Sequence, residues 1–487
     1  MKVRTLALGA WLLSACSAPG PTISTSTAVP PAAPEAEHTP LPTREPHPPG
    51  ELVRYEAQSG DTLAAIAAHF STSVEAILQA NPQLQPGIST LSPGYELRIP
   101  AYYLPLTGTP FKMLPDSEVI NGPSAVGFDI RSEMLARAGY AAELSDYAFR
   151  LERPAWEVVN VVARNYSINP RLLLALLEYR TAALTSPFPD EQQRTYPLGL
   201  TDTRYKGLFR QLLWAAERIN DGYYGWRSGT LREFETADGM LYRPDSWQNA
   251  GTVAVQMVLA GLLDVKEFEK AVGPDGFAAT YSNLWGSPFS AAVDLIPGNL
   301  QQPELLLPFV PNRIWDFTGG PHYSWGTSLP LGALDFGPPA IASGCTPSAE
   351  WVAAPAAGIV TRSEEATVVL DLDEDSDERT GWSLFFFHIA EEGRIQAGVE
   401  VEVGDLLGHP SCEGGTATGT HFHLARRYNG EWLPADGALP FVMDGWVAKQ
   451  GAALYEGTLV KGSKVVAACT CSTRENRILY ELPGGDA

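Results

Sequence analysis

Gly419-Thr420-His421-Phe422-His423-Leu424 places two histidines two residues apart in an apolar run. In a β-strand, successive side chains point to opposite faces. His421 and His423 are therefore expected side by side, with Phe422 and Leu424 turned the other way. Imidazoles arranged like this suit a metal ion, one as a ligand and the other held over the reacting atom. A His-x-His this short also arises on ordinary solvated strand faces, so its meaning depends on what surrounds it.

Working outward, the chain from about residue 300 consists of short β-branched segments punctuated by glycine, which predicts a β-domain. Gly319-Gly320-Pro321-His322 comes first, then Ala333-Leu334-Asp335-Phe336 and the turn Ala357-Gly358-Ile359-Val360. Trp382 to His388 reads as a fully apolar strand ending in a histidine, and Val403-Gly404-Asp405-Leu406-Leu407-Gly408 as a hairpin leading to the opening motif. This order resembles the lysostaphin-type (LytM-like) zinc metallopeptidases of the cell wall, over roughly residues 315 to 445. The resemblance implies Zn2+ held by His322, Asp335 and His423, with His421 and His388 as unliganded catalytic histidines. Two imidazoles and a carboxylate leave zinc's fourth position for water, as a catalytic site requires. One spacing departs from the family. Tyr323 to Leu334 separate the first histidine from the aspartate, and this segment is expected to loop out and hang Trp325 and Pro330 over the cleft. His409 is read as a loop histidine.

The net charge of −22 at pH 7 argues against nucleic acid as a partner and reads as plain solubility. Lys2 and Arg4, the apolar run Leu6 to Leu13 and Leu13-Ser14-Ala15-Cys16 resemble a bacterial lipoprotein signal. That implies an exported chain, lipidated at Cys16 and anchored to the outer face of a membrane. Outside the cytosol the remaining cysteines can form disulfides. Cys345 is paired with Cys412 because both flank the presumed site, whereas Cys469 and Cys471 are too close for an easy bridge. In the acidic run Asp371 to Glu378, the alternating carboxylates Asp371, Asp373, Asp375 and Asp377 offer a calcium site, or simply a solvated hairpin tip.

Nearer the N-terminus, residues 17–52 are rich in Pro, Ser, Thr and Ala and read as a disordered tether. Residues 53–101 read β-α-α-β. Ser59-Gly60-Asp61-Thr62-Leu63, Asn81-Pro82, Pro93-Gly94 and Leu97-Arg98-Ile99-Pro100 make the unit resemble a lysin-motif domain. The resemblance implies binding to the N-acetylglucosamine strands of peptidoglycan or chitin. The groove would lie between the first strand–helix loop and the segment after the second helix, here Gly60, Asp61 and Thr62 with Ile77, Leu78, Asn81 and Pro82.

Residues 110–295 read as helical. Arg171 to Tyr179, after Pro170 at the first helical position, is apolar enough to be a central buried helix, and Glu178 closes it. Apolar burial raises a carboxyl pKa and makes a general acid. The run Asn169-Pro170 to Glu178 resembles the catalytic helix of lysozyme-like lytic transglycosylases, which implies a second, glycan-cleaving site or a degenerate, sugar-binding one.

The expected fold is a multidomain α+β protein. It has a signal over residues 1–16, the tether, a small βααβ lysin-motif module, and a mostly α-helical lysozyme-like middle domain. An antiparallel β-sheet domain of lysostaphin type over 305–460 and a tail over 461–487 complete it. The expected function is zinc-dependent cleavage of peptidoglycan stem peptides or cross-bridges. The alternatives are a non-catalytic wall-binding scaffold or activator, and a bifunctional hydrolase using Glu178.

Overall fold

Three patterns of apolar spacing become three packed parts in the computed structural model. It describes residues 41–481 apart from Pro86, Leu104, Pro105, Thr107, 340–343 and Glu374. The signal stretch and Cys16 lie outside the described residues.

In the first part β1 (Glu51–Glu56) pairs antiparallel with β2 (Glu96–Ala101), and α1 (Leu63–His69) and α2 (Val74–Ala80) lie between them in the chain. Each helix starts where a hydroxyl can cap it: the Thr62 side chain accepts from Ala65 N and that of Ser73 from Ala76 N. Val53, Tyr55, Ile66, Phe70, Ile77, Leu97 and Ile99 fill the small core.

The second part contains α3 (Ile130–Arg137), the hairpin β3 (Ser145–Ala148) and β4 (Leu151–Pro154), α4 (Ala155–Tyr166), α5 (Pro170–Thr181) and α6 (Glu191–Thr195). It continues with α7 (Leu208–Ser228), the hairpin β5 (Phe234–Glu235) and β6 (Leu241–Tyr242), α8 (Ala250–Ala260), α9 (Val265–Ala271) and α10 (Phe277–Trp285). In α5, Pro170 takes the first turn and the Asn169 side chain accepts from Arg171 N, while Leu172 to Leu177 are all buried. The two short hairpins interrupt a stretch that reads as wholly helical from its sequence.

The third part is built on β7 (Ile314–Trp325), β8 (Ser328–Gly337), β9 (Val352–Ala353), β10 (Gly358–Glu364), β11 (Thr367–Asp371), β12 (Trp382–Phe387), β13 (Glu400–Val401) and β14 (Leu406–Gly408). Then follow β15 (Phe422–Tyr428), β16 (Glu431–Trp432), β17 (Val442–Met443), β18 (Trp446–Gln450), β19 (Gly457–Lys461), β20 (Lys464–Ala467) and β21 (Arg477–Leu479). The main sheet runs β13-β10-β11-β12-β15-β8-β7-β21, with β16 alongside β15. Strand alternation divides its residues between two cores. Leu334, Phe336, Val368, Leu370, Leu384, Phe386, Phe422 and Leu424 face one way, into the sheet domain's own core. Ala333, Val369, Phe385 and Ala425 face the other way and join the core of the helical part. Burial on both faces explains why β12 shows no polar alternation.

Three expectations about order are corrected. The end of the tether is tied down, because Arg44 pairs with buried Asp245 at 2.7 Å and lies over the Trp247 ring. The tail as far as Glu481 belongs to the sheet part, because β21 adds to the main sheet beside β7, with Ile478 buried opposite Trp315. Tyr323 to Leu334 do not loop out. They continue β7 and β8 as a paired hairpin that sets His322 opposite Ala333.

Candidate metal centre

Register brings the cluster together. His423 on β15 sits directly opposite Asp335 on β8, and Phe387 on β12 flanks it from the other side. His322 comes from β7, where register shifts around Gly319 and His322 re-aim the strand. Gly319 is needed for this approach, since a Cβ there would come within 2.6 Å of Asp335 Oδ2.

His322 Nδ1 is 2.9 Å from Gly320 O, and His423 Nε2 is 3.0 Å from Ser324 O. A carbonyl can only accept, so each of these nitrogens carries the ring proton. The other two nitrogens, His322 Nε2 and His423 Nδ1, then face each other as lone pairs at 3.0 Å. Asp335 Oδ1 stands 3.2 Å from the first and 3.4 Å from the second, and it is buried with no hydrogen-bond partner. Three electron-rich atoms converging in this way are relieved by a cation. A tetrahedral ion about 2.0–2.1 Å from each donor would hold them roughly 3.3–3.4 Å apart, close to the spacing observed. The donor set therefore fits zinc, and the two carbonyls fix the tautomers that ligation needs.

Two further histidines stand beside the cluster. His421 Nε2 is 3.8 Å from Asp335 Oδ2, and its Nδ1 donates to Gly419 O. The His388 ring is 4.6 Å from that of His421, and its Nδ1 donates to Glu413 O at 2.7 Å. His388 is in the left-handed region at φ 63, a conformation that costs a non-glycine residue about 1 kcal/mol or more. Ser411, which bonds the backbone of both His388 and His421, lies next to Cys412, and Cys412 is bridged to Cys345. Burial and then the His421 ring lower the pKa of His388 to about 4. Burial opposes charge on His322, but the Asp335 carboxylate outweighs it and raises that group's pKa.

Tyr455, in the loop before β19, stacks on the His322 ring at 4.3 Å. No motif marks it in the sequence, and only the fold carries it there.

The other candidate residues lie elsewhere. His409 donates from Nδ1 to Glu350 O and packs on Trp351. Glu178 is not in an apolar pocket: half-buried, it accepts from Leu184 N at 2.8 Å and from Thr185 Oγ1 at 2.5 Å, closing the turn after α5. Of the four acidic-run carboxylates, Asp371, Asp373 and Asp375 lie within reach of one another, whereas Asp377 is turned to Arg379 at 2.7 Å. Cys469 and Cys471 are bridged to each other despite their closeness in sequence.

The groove residues of the first part divide in two. Ile77 is core, Asn81 is buried against Ile77 O and Arg98, and Asp61 accepts from the Tyr55 hydroxyl and Gln58 N. Gly60 lies beneath the Arg227 guanidinium. Thr62 and Leu78 are half-buried and Pro82 is exposed.

Comparison with known proteins fits this architecture. Residues 55–100 match the model of the LysM domain, and residues 112–299 match that of the LasA N-terminal domain. The chain thus carries a LysM domain followed by a segment of the LasA N-terminal type. It is 25% identical over 364 residues to Protease LasA of Pseudomonas aeruginosa, covering 70% of this chain and 78% of that protein. Protease LasA from strain UCBPP-PA14 of the same species is 26% identical over 370 residues, with the same coverage. Among solved structures, the chain is similar to the M23 metalloprotease pseudoalterin from the deep sea, at 21% identity and a TM-score of 0.30, covering 34% of this chain and 96% of that one. It is also similar to the catalytic domain of lysostaphin from Staphylococcus simulans, at 17% identity and a TM-score of 0.19, covering 26% of this chain and 90% of that one.

Proposed function

We propose that this LysM-containing peptidase hydrolyses peptide bonds in peptidoglycan stem peptides or cross-bridges, with zinc held by His322, Asp335 and His423. The observation that carries the reading is the convergence of His322 Nε2, Asp335 Oδ1 and His423 Nδ1, with two unliganded histidines beside them. A bound zinc would supply Lewis acidity and lower the pKa of water. The residues do the rest. His421 takes a proton from the attacking water and returns it to the leaving amine as the C–N bond breaks. His388 orients the water or stabilises the developing oxyanion, held by its bond to Glu413 O. The LysM module concentrates the enzyme on glycan. The likeness to Protease LasA and the LysM match support this reading.

Digestion of purified peptidoglycan tests it. Mass spectrometry should find new amino termini on released peptides and no new reducing or anhydro-sugar ends. Sugar ends that survive His423→Ala and vanish in Glu178→Ala would instead place the chemistry at the end of α5. The lipoprotein-like order from Lys2 to Cys16 supports anchoring of the exported chain at a membrane. Incorporation of labelled fatty acid that is lost in Cys16→Ala checks it.

A further inference from the structure

His388 and His421 are held in place by different supports from those of the three ligand residues. The pairing of β12 with β15 ends at Phe387 opposite His423, and beyond it Ser411 bonds both histidine backbones. Ser411 N donates to His388 O at 2.7 Å and to His421 O at 3.2 Å, and Ser411 O accepts from His421 N at 3.3 Å. The Ser411 hydroxyl donates to His388 O at 2.9 Å and accepts from Glu413 N at 3.0 Å. Glu413 O accepts from His388 Nδ1 at 2.7 Å. A second segment holds the residue before His421. Gly344 O accepts from Thr420 N at 3.1 Å, and Thr346 O accepts from the Thr420 hydroxyl at 2.5 Å. Cys412 is the middle of the first segment and Cys345 the middle of the second, and the two are bridged across a sequence separation of 67. The ligands rest on the sheet instead: His423 pairs with Asp335 across β15 and β8 and bonds Ser324 O, and His322 bonds Gly320 O.

Residues 344–346 and 411–413 lie outside the strands, and Gly344, Cys345 and Glu413 are exposed. Segments with few buried apolar contacts open at low cost, so they keep one arrangement only where something else ties them down. We propose that the Cys345–Cys412 bridge is the positioning clamp of His388 and His421, so that peptide hydrolysis requires the bridge to be oxidised. The inference rests on the reading of these two histidines as catalytic. A dithiol opens the bridge by giving two electrons and two protons to the S–S bond; it becomes a disulfide itself and leaves two cysteine thiols. Once they are apart, 344–346 no longer ties Thr420 to the segment of Ser411. His388, at φ 63, then loses the surroundings that hold a left-handed residue in place. The zinc ligands are untouched. The chain is thereby silent in a reducing compartment and becomes active on reaching an oxidising one.

The test is Cys345→Ala combined with Cys412→Ala in the full chain, assayed on peptidoglycan well below the variant's own melting temperature. The expected result is a kcat lower by about 100-fold, the cost of displacing a reacting group by about 1 Å, with KM and zinc content those of the wild type. Ring NMR of isotope-labelled histidine adds a readout that a general loss of stability does not move. The His388 and His421 signals should shift or broaden, and those of His322 and His423 should stay. Unchanged kcat in the folded, zinc-loaded variant would overturn the clamp while leaving the peptidase reading intact. Loss of zinc together with kcat would make the bridge a support of the metal site, and would overturn it as well. A zinc-loaded wild type that releases no amines would overturn the peptidase reading, and the clamp with it. Should the double variant not fold, a chain carrying Cys469→Ala and Cys471→Ala is reduced by a phosphine, which takes its oxygen from water as the S–S bond opens. A kcat that falls on reduction and recovers on reoxidation at constant zinc supports the clamp, and a constant kcat overturns it.

Discussion

His423 gives one ring nitrogen to Ser324 O and the other to the cluster, whereas His421 gives one to Gly419 O and points the other past Asp335 Oδ2. The two residues are neighbours on one strand segment, yet only the first is placed to ligate. His421→Ala is accordingly expected to keep its zinc and lose about 10²–10⁴ in kcat, as removal of a general acid–base group does. Metal analysis alongside kinetics checks this, and loss of metal in that variant would make His421 a ligand. Strand alternation singles out His421 and His423 in the sequence, whereas His322, Asp335 and His388 are reached there only through the resemblance to lysostaphin-type peptidases; the fold brings all five together. Tyr455 is not legible. It sits in an unremarkable loop at φ 68, and only the approach of Tyr455 O to Gly320 N brings its ring over His322.

At the scale of elements, the β7–β8 hairpin does what its sequence conceals. The stretch is expected to loop out because its length departs from the family's His-to-Asp spacing, and alternation within a strand does not reveal its partner. Paired, it delivers Ser324 O to His423, and its tip is gripped by α7. Leu329 N donates to Asp221 Oδ1 at 3.0 Å, and the Thr327 hydroxyl donates to Glu217 Oε1 at 2.7 Å. Loosening the tip should therefore be felt at the metal. Glu217→Ala combined with Asp221→Ala is expected to weaken zinc binding by about 10-fold although no ligand changes, since outer-sphere partners commonly carry 10- to 100-fold in affinity. Competition with a chromophoric chelator measures it, and unchanged affinity would show that the sheet alone holds Ser324. The C-terminal strand β21 is hidden in the same way. Three residues, Arg477 to Leu479, are too short for a periodicity to register, and pairing with β7 is what makes them a strand.

Across the whole molecule, the three parts meet at Arg227. Its buried guanidinium bonds Ser59 O of the LysM module, Tyr223 and Asp116 of the helical part, and Glu431 of the sheet. Beside this junction two groups titrate in opposite senses. His69, stacked on Trp226 at 3.7 Å and bonded to Trp226 O, has its pKa lowered to about 3 by burial. Asp61 has its pKa raised to about 6, also by burial. The neutral His69 contributes stability that is present above its unfolded pKa of 6.5 and lost as pH falls towards 3. Asp61 acts the other way, destabilising as pH rises from about 4 to 6, so the wild type masks both effects. His69→Phe removes one of them. The stability difference between variant and wild type should shift in the variant's favour as pH falls from about 6.5 towards 3, read from urea midpoints, and a constant difference would contradict the burial argument. The LysM module was legible from its own motifs and the sheet from its short glycine-punctuated strands, whereas the helical part reads as lysozyme-like and matches the LasA N-terminal domain instead. How the parts sit together was not legible, because the junction is built from isolated residues such as Ser59, Arg227 and Glu431 that carry no pattern. The most direct test of the central claim is zinc content measured together with amine release from peptidoglycan, on the purified chain and on His423→Ala. The account predicts about one zinc per wild-type chain, with both metal and amine release lost in the variant. A wild-type chain that releases amines without zinc, or a variant that keeps both, would contradict it.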